Sequence, residues 1–246
     1  MKLNEKYKIE EISKREAKKI IKDYHYLKDK DFLYMTAYGL KERSSDEIVG
    51  AAVFGRVNGI AAMKGWFGIG NGADESRGIY ELTRLVVEPS LNGTNATSFL
   101  LGNALKNLKK NQNARAVISL ADTNKHIGYI YQACNFSYHG VTSSKTDFFM
   151  KFDNEKGYKL NPIGKTKEKD GVWLPRTRKH RYVYLFDKNI EVKYHKENYP
   201  KGDGGIELEC CDGTFAVFDK RFDKYYTCPR CTDKLEYIEI DENKIV

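Results

Sequence analysis

The chain has 246 residues, 41% of them hydrophobic and 13% aromatic, which suits a folded core and argues against global disorder. No run nears the roughly 18 apolar residues needed to span a bilayer, and the start MKLNEKYKIEEISKREAKK lacks the apolar stretch of a secretion signal. Formal net charge is +8, which favours polyanionic partners through counterion release, although a solvated lysine-rich surface meets the same balance. Five cysteines, an odd number, point away from a disulfide framework, so a cytoplasmic location is expected.

In chain order, Ser13-Lys14-Arg15-Glu16 is a capping-box pattern that opens a helix. Ala17, Ile20, Ile21 and Tyr24 follow at helical spacing, with lysines on the other face, and His25 and Tyr26 fall at the helix mouth. Phe32 to Leu40 and Ile48 to Phe54 read as strands joined by a polar hairpin loop over 41–46. The glycine-bearing stretch 55–78, around Trp66-Phe67, reads as a long mobile loop of the kind that serves binding. Ile79 to Val87 is a strand ended by Glu88-Pro89. Asn92-Gly93-Thr94-Asn95 is turn chemistry, with Asn95 as cap for a helix striped by Leu100, Leu101, Ala104, Leu105 and Leu108. Ala116 to Ala121 reads as a buried strand, after which Asp122 or Thr123 caps a helix whose Ile127, Ile130, Tyr131 and Cys134 share one face. Phe136 to Val141 and Phe148 to Phe152 read as further strands, and 153–170 as an exposed excursion. Arg176, Arg178, Lys179 and Arg181 then lead into a last strand, Tyr182 to Phe186.

This order implies an α/β fold, with a mixed sheet flanked by helices over residues 1–187. A different pattern fills 188–246, which holds four of the five cysteines. Cys228-Pro229-Arg230-Cys231 has the spacing of a zinc-knuckle half, and Cys210 and Cys211 stand upstream at about the distance of a zinc ribbon. Because those two are adjacent, three readings stay open: a structural zinc on Cys210, Cys211, Cys228 and Cys231, a set that takes in His195, or free thiols. Cys134, on an apolar helix face, reads as core.

The run Ile79 to Val87, then Ala121-Asp122-Thr123-Asn124 and Ile130-Tyr131-Gln132-Ala133-Cys134-Asn135-Phe136, resembles the GNAT superfamily of N-acetyltransferases. The resemblance implies an acetyltransferase-like, mostly antiparallel sheet. Two splayed central strands would admit the pantetheine arm of acetyl-CoA, and the next helix N-terminus would receive its pyrophosphate. Arg84, Gly93, Asn95 and Ala96 are the positions such a cofactor would meet. The pyrophosphate loop departs from the superfamily: Leu91 to Ala96 keeps Gly93 and Ala96 but lacks the leading Arg or Gln and the central Gly. Acetyl-CoA itself is therefore in doubt.

The chain resembles the phage Mom family more closely, over roughly residues 10 to 187. His25-Tyr26, Gly50-Ala51-Ala52-Val53-Phe54-Gly55-Arg56, Tyr80-Glu81-Leu82-Thr83-Arg84-Leu85, Asn95-Ala96-Thr97-Ser98, Ser119-Leu120-Ala121-Asp122, the run His126 to Phe136, and Lys179-His180-Arg181-Tyr182-Val183-Tyr184 carry the likeness in order. It implies modification of the exocyclic amine of adenine in double-stranded DNA, giving a carbamoylmethyl-type adduct that evades host restriction, in the host cytoplasm if the chain is phage-encoded. It also implies iron.

On that resemblance, Tyr26, Arg84, Ser119, Asp122 and Tyr131 are the catalytic candidates. His25, Tyr26, Asp122 and Tyr131 are expected to converge as an iron-binding set, with Arg84 holding an anionic group of the donor and Ser119 orienting substrate. Since the amine of a stacked adenine is hidden, the base must be extruded; Trp66 and Phe67 are expected to stack it, and Arg56, Arg176, Arg178, Lys179 and Arg181 to hold phosphates. Blander readings stand beside these: Arg84 paired with Glu81, Tyr131 and Trp66 in the core, and the arginines on a solvated strand edge. The competing functions are a conventional N-acetyltransferase and a non-catalytic DNA-binding module.

Overall fold

In the computed structural model the described residues are 2–27, 30–57, 60–69, 76–122, 128–142, 146–151, 158–160, 171–175, 179–193, 205–210, 214–219, 225–227 and 234–236. The elements run α1 (Leu3–Lys6), β1 (Tyr7–Ile12), α2 (Lys14–Tyr24), β2 (Thr36–Glu42), β3 (Ile48–Arg56), α3 (Ile60–Phe67), β4 (Ile79–Val87), α4 (Ala96–Gln112), β5 (Ala116–Asp122), α5 (Tyr129–Ala133) and β6 (Ser137–Val141). Then come β7 (Thr146–Lys151), β8 (Tyr158–Leu160), β9 (Gly171–Pro175) and β10 (Lys179–Leu185). The last are the hairpin strands β11 (Gly205–Cys210), β12 (Thr214–Asp219), β13 (Tyr225–Thr227) and β14 (Lys234–Glu236).

Side-chain alternation along the strands makes two cores, one on each face of a seven-stranded sheet ordered β1-β2-β3-β4-β5-β10-β6. Tyr38, Leu40, Ala52 and Phe54 pack on one face with Leu100, Leu101, Ala104 and Leu108 of α4. Ala37, Ala51 and Val53 turn to the other, where Ala17, Ile20 and Ile21 of α2 cover them. Each fully buried leucine of α4 contributes about 1.5–3 kcal/mol through apolar burial. The start of α2 forms the expected box: Ser13 Oγ accepts from the Glu16 N–H at 3.2 Å, and Glu16 accepts from the Ser13 N–H at 2.7 Å. β7, β8 and β9 form a separate three-stranded sheet.

Every neighbouring pair in the main sheet is antiparallel except β4 and β5, which run parallel. Their pairing covers only Ile79↔Ala116, Tyr80↔Val117 and Glu81↔Ile118. Beyond it β4 stays with β3 as far as Gly50↔Val87, and β5 stays with β10 as far as Lys179↔Asp122. Each strand follows its outer neighbour, so the sheet splits between Leu82–Val87 and Ser119–Asp122. The β3–β4 register shifts between Val53 and Phe54, at the start of this split.

Several local expectations are corrected. The stretch around Trp66-Phe67 is not a loop: α3 puts Met63, Trp66 and Phe67 into a third cluster with Ile79, Ile118 and Val183, because its apolar residues find the sheet face beside α2's. Asn95 occupies the cap position of α4 without a side-chain cap bond; the Ala96 N–H is taken instead by Thr94 Oγ1 at 3.1 Å. Asp122 ends β5, and the cap of α5 is Gly128, at φ +79°, where a Cβ would lie 2.4 Å from the Tyr182 ring. Among the described residues no helix is long and apolar enough to cross a membrane. Cys211, Cys228, Cys231 and His195 lie outside the described residues, and of Cys210 only its place at the end of β11 is described, so the zinc expectation finds no support here.

Candidate active site

Where β4 and β5 part, an open cleft of about 620 Å³ forms. Its walls are Glu81 to Val87 of β4, Leu120 and Asp122 of β5, Tyr129 to Tyr131 of α5, and Lys179 of β10; Tyr24 to Leu27 close one side. His25, Tyr26, Arg84, Asp122 and Tyr131, drawn from four separate stretches of sequence, all line it.

Tyr26 is half exposed, and its ring stacks on His25 with centroids 4.5 Å apart. Partial burial, then the charge of Asp122, raises its phenol pKa, and Arg84 opposes them. The phenol therefore stands in the fields of a carboxylate and a guanidinium at once. Asp122 forms an ion pair with Lys179, its cross-strand partner. Lys179 is thus a cleft residue rather than part of an outer phosphate clamp.

Arg84 sits differently from the expected anion clamp. Its Nη1 donates to the Thr83 carbonyl at 2.7 Å, and its Nη2 donates to the carbonyls of Asp31 at 3.1 Å and Lys30 at 3.3 Å. The guanidinium lies 5.5 Å over the Phe32 ring, and burial lowers its pKa against the opposing charges of Tyr26, Glu81 and Asp31. Its first task is to pin the backbone of Lys30 and Asp31 against β4 while adding positive potential to the cleft.

Ser119 is fully buried, so it does not reach a substrate directly. It lies beneath Tyr131, whose phenol it hydrogen-bonds, and its Oγ is 3.5 Å from the Leu82 carbonyl. Burial pushes the Tyr131 phenol up to about 12, so it is a protonated donor at neutral pH. The Tyr131 ring packs against Phe136 and Tyr182, at centroid distances of 5.6 and 5.2 Å; it belongs both to the core and to the cleft wall.

An iron ion would draw on lone pairs of His25, Tyr26, Asp122 and Tyr131, all of which line the cleft. His25 Nδ1 accepts the Leu27 N–H at 3.0 Å; since a backbone N–H only donates, the neutral ring carries its proton on Nε2. A metal-bound histidine usually does the reverse, donating from the nitrogen away from the metal. Asp122 is committed to Lys179, and Tyr131 holds its proton. Among the described residues no three His, Cys, Asp or Glu side chains group to hold a metal. Binding iron through His25 would require its proton to leave Nε2.

The helix-terminus residues border the site unevenly. Asn92 and Thr97 line the cleft, Ala96 is buried, and Gly93 takes φ +78° with open space around it. The expected DNA contacts fare less well. Trp66 is buried and Arg181 lies over its ring at 5.7 Å, itself buried, so neither is presented to a polymer. Arg56 is exposed at the end of β3, while Arg176 and Arg178 lie outside the described residues. Sequence reading missed the Asp122–Lys179 pair; the signal was the family run around Lys179, read there as one more cation of a basic cluster.

A mixed sheet split beside its single parallel pair, with ionisable side chains gathered at the split, defines an α/β protein with its cleft at diverging strand ends. More particularly, the chain belongs to the Mom protein family, whose model matches residues 6–201. No curated protein matches it by sequence. Among solved structures it is similar to the spermidine/spermine N-acetyltransferase of Vibrio cholerae, at 9% identity and TM-score 0.44, covering 75% of this chain and 95% of that one. It is also similar to the ribosomal-protein-S18-alanine N-acetyltransferase of Escherichia coli, at 10% identity and TM-score 0.43, covering 77% and 99%. An acetyltransferase of Bacillus subtilis in complex with CoA matches at 16% identity and TM-score 0.41, covering 74% and 99%.

Proposed function

We propose that this chain is a transferase that modifies the exocyclic amine of adenine in double-stranded DNA, leaving a carbamoylmethyl-type adduct that evades host restriction. Membership of the Mom family supports it. The observation that carries it furthest is the meeting of Asp122, Lys179, Tyr26 and Tyr131 at the split of the sheet.

The chemistry sets the requirement. The adenine amine is a weak nucleophile, because its lone pair is delocalised into the ring. To react it forms an N–C bond to an activated carbon of the donor, the bond from that carbon to its leaving group breaks, and one amine proton departs. Asp122 accepts that proton, and the adjacent Lys179 cation holds the carboxylate in place. Tyr131, kept protonated by burial, donates a hydrogen bond to negative charge that develops on the donor. Ser119 acts through Tyr131, as a positioning residue. Arg84 holds the Lys30–Asp31 backbone against β4 and favours an anionic donor through its field rather than by a direct fork.

Mass spectrometry of nucleosides from plasmid DNA, after expression in a bacterial host, tests the reading. A new adenosine species of added mass is expected. Unmodified DNA in the presence of abundant folded protein overturns the proposal in favour of a conventional N-acetyltransferase.

A further inference from the structure

A DNA-modifying cleft needs a surface for the polymer, and Trp66, Arg181 and Lys179 do not form it. A group of cations without ion pairs lies on α2. Lys14, Arg15, Lys18, Lys19 and Lys22 are all exposed and border one groove on its outer face. Their spacing puts them in one continuous stripe, turned away from the buried Ala17, Ile20 and Ile21. Like charges four residues apart, as in Lys14/Lys18, Arg15/Lys19 and Lys18/Lys22, disfavour a helix, so the stripe is not there for stability.

Glu16, which caps the helix, and Asp23 are the acidic residues of α2, and among the described residues none of the five cations forms an ion pair with a carboxylate. Lys14 alone has a partner, the Phe32 ring at 5.8 Å. The edge formed by β1 and β2 is the opposite case: Lys6 pairs with Glu42 at 3.5 Å, Lys8 with Asp46 at 2.6 Å, and Lys41 with Glu10 at 3.3 Å.

The stripe also leads somewhere. α2 ends at Tyr24, the chain passes directly to His25 and Tyr26, and Tyr24 and Tyr26 line the cleft, as Tyr129 of α5 does. Tyr24 is 42% exposed and Tyr129 67%. Tyr24 leaves α2 on the face opposite the stripe, so a ligand that reaches both passes around the C-terminal end of the helix. Open aromatic faces at the mouth of the cleft, one helix width from unpaired cations, suit flat rings on an anionic backbone.

We propose that the outer stripe of α2 binds the phosphate backbone of duplex DNA beside the adenine that enters the cleft, and that Tyr24 and Tyr129 form its base-stacking rim. This rests on the reading of the chain as a DNA-modifying enzyme. From Lys14 to Lys22 the helix rises about 12 Å, the axial span of three to four base pairs at about 3.4 Å each, so the stripe meets a few successive phosphates.

The test is the affinity of the full chain for a short fluorescein-labelled duplex, read by anisotropy across a salt series. In K18Q/K19Q/K22Q the affinity falls at least about tenfold, and the slope of log affinity against log salt is shallower by about 2 to 3, near 0.9 per lost phosphate contact. Tyr129→Ala weakens binding with the slope unchanged. K8Q/K41Q, from the paired edge, leaves both as in the wild type. If the wild-type chain modifies DNA but the α2 triple variant keeps its slope, the surface is wrong and the function stands. If the wild type neither binds the duplex nor modifies DNA, both fall. Tighter binding of an RNA hairpin than of the duplex, lost in the same variant, overturns duplex DNA as the occupant.

Discussion

The two ends of the β4–β5 pair are made of the same strands and do opposite work. At the closed end, Ile79, Ala116 and Ile118 are hydrogen-bonded in register and buried under α3, where apolar area is removed from water. At the open end the same strands have lost each other, and Arg84, Asp122 and the α5 tyrosine Tyr131 occupy the gap. A sheet that stayed paired to Val87 would be more stable and would have no cleft. The split costs ladder hydrogen bonds, and the outer neighbours β3 and β10 make it tolerable by holding each strand along its free length.

That contrast predicts that changes at the open end cost activity, and changes at the closed end cost stability. The largest effect is expected from Asp122→Asn, which keeps the shape and removes the proton acceptor. DNA modification drops by about 10²–10⁴-fold, while thermal stability and duplex affinity stay close to the wild type. Parallel loss of binding and modification would make Asp122 a DNA contact and erase the distinction. Ile118→Ala, at the closed end, is expected to destabilise the fold by about 2–5 kcal/mol in urea denaturation, with modification per folded molecule retained. A loss of activity without a loss of stability would show that the two ends are not separable.

The smallest effect sharpens the boundary, since Tyr131 belongs to both regions. Its phenol is held near 12 in the folded chain and titrates near 10 when unfolded. Between those values the unfolded chain has released its proton and the folded chain has kept it, so stability present below pH 10 is lost as pH rises towards 12. Tyr131→Phe should remove that part of the alkaline loss, seen in urea denaturation as a flatter stability-versus-pH curve for the variant and a wild-type-minus-variant difference that falls from about pH 9.5 to 11.5. An unchanged curve would mean that the phenol is solvated and faces the cleft alone.

The cleft was partly legible in sequence. His25, Tyr26, Arg84, Asp122 and Tyr131 were named from family runs, and all five line it, while the hydrogen bonds of Arg84 and His25 to backbone groups were not legible there. Burial was harder to read. Ser119 looked like a substrate-orienting hydroxyl and is fully enclosed, while Trp66 looked like a stacking platform and is core. Polar and aromatic residues carry no local mark of which side faces water. The missed β1 shows the same limit: Tyr7–Ile12 is rich in charge, and it is a strand because β2 offers it an edge.

The sequence by itself determined what depends on near neighbours in the chain. The capping box of α2, the apolar stripe of α4 and the full extent of β4 follow from spacings of three, four and two residues, which a short stretch contains entirely. Only the tertiary structure decided the split between β4 and β5, the pairing of Asp122 with Lys179 from 57 residues away, and which lysines keep their charge unpaired. Those depend on which strand lies beside which, and that is set by burying two cores at once rather than by any local pattern.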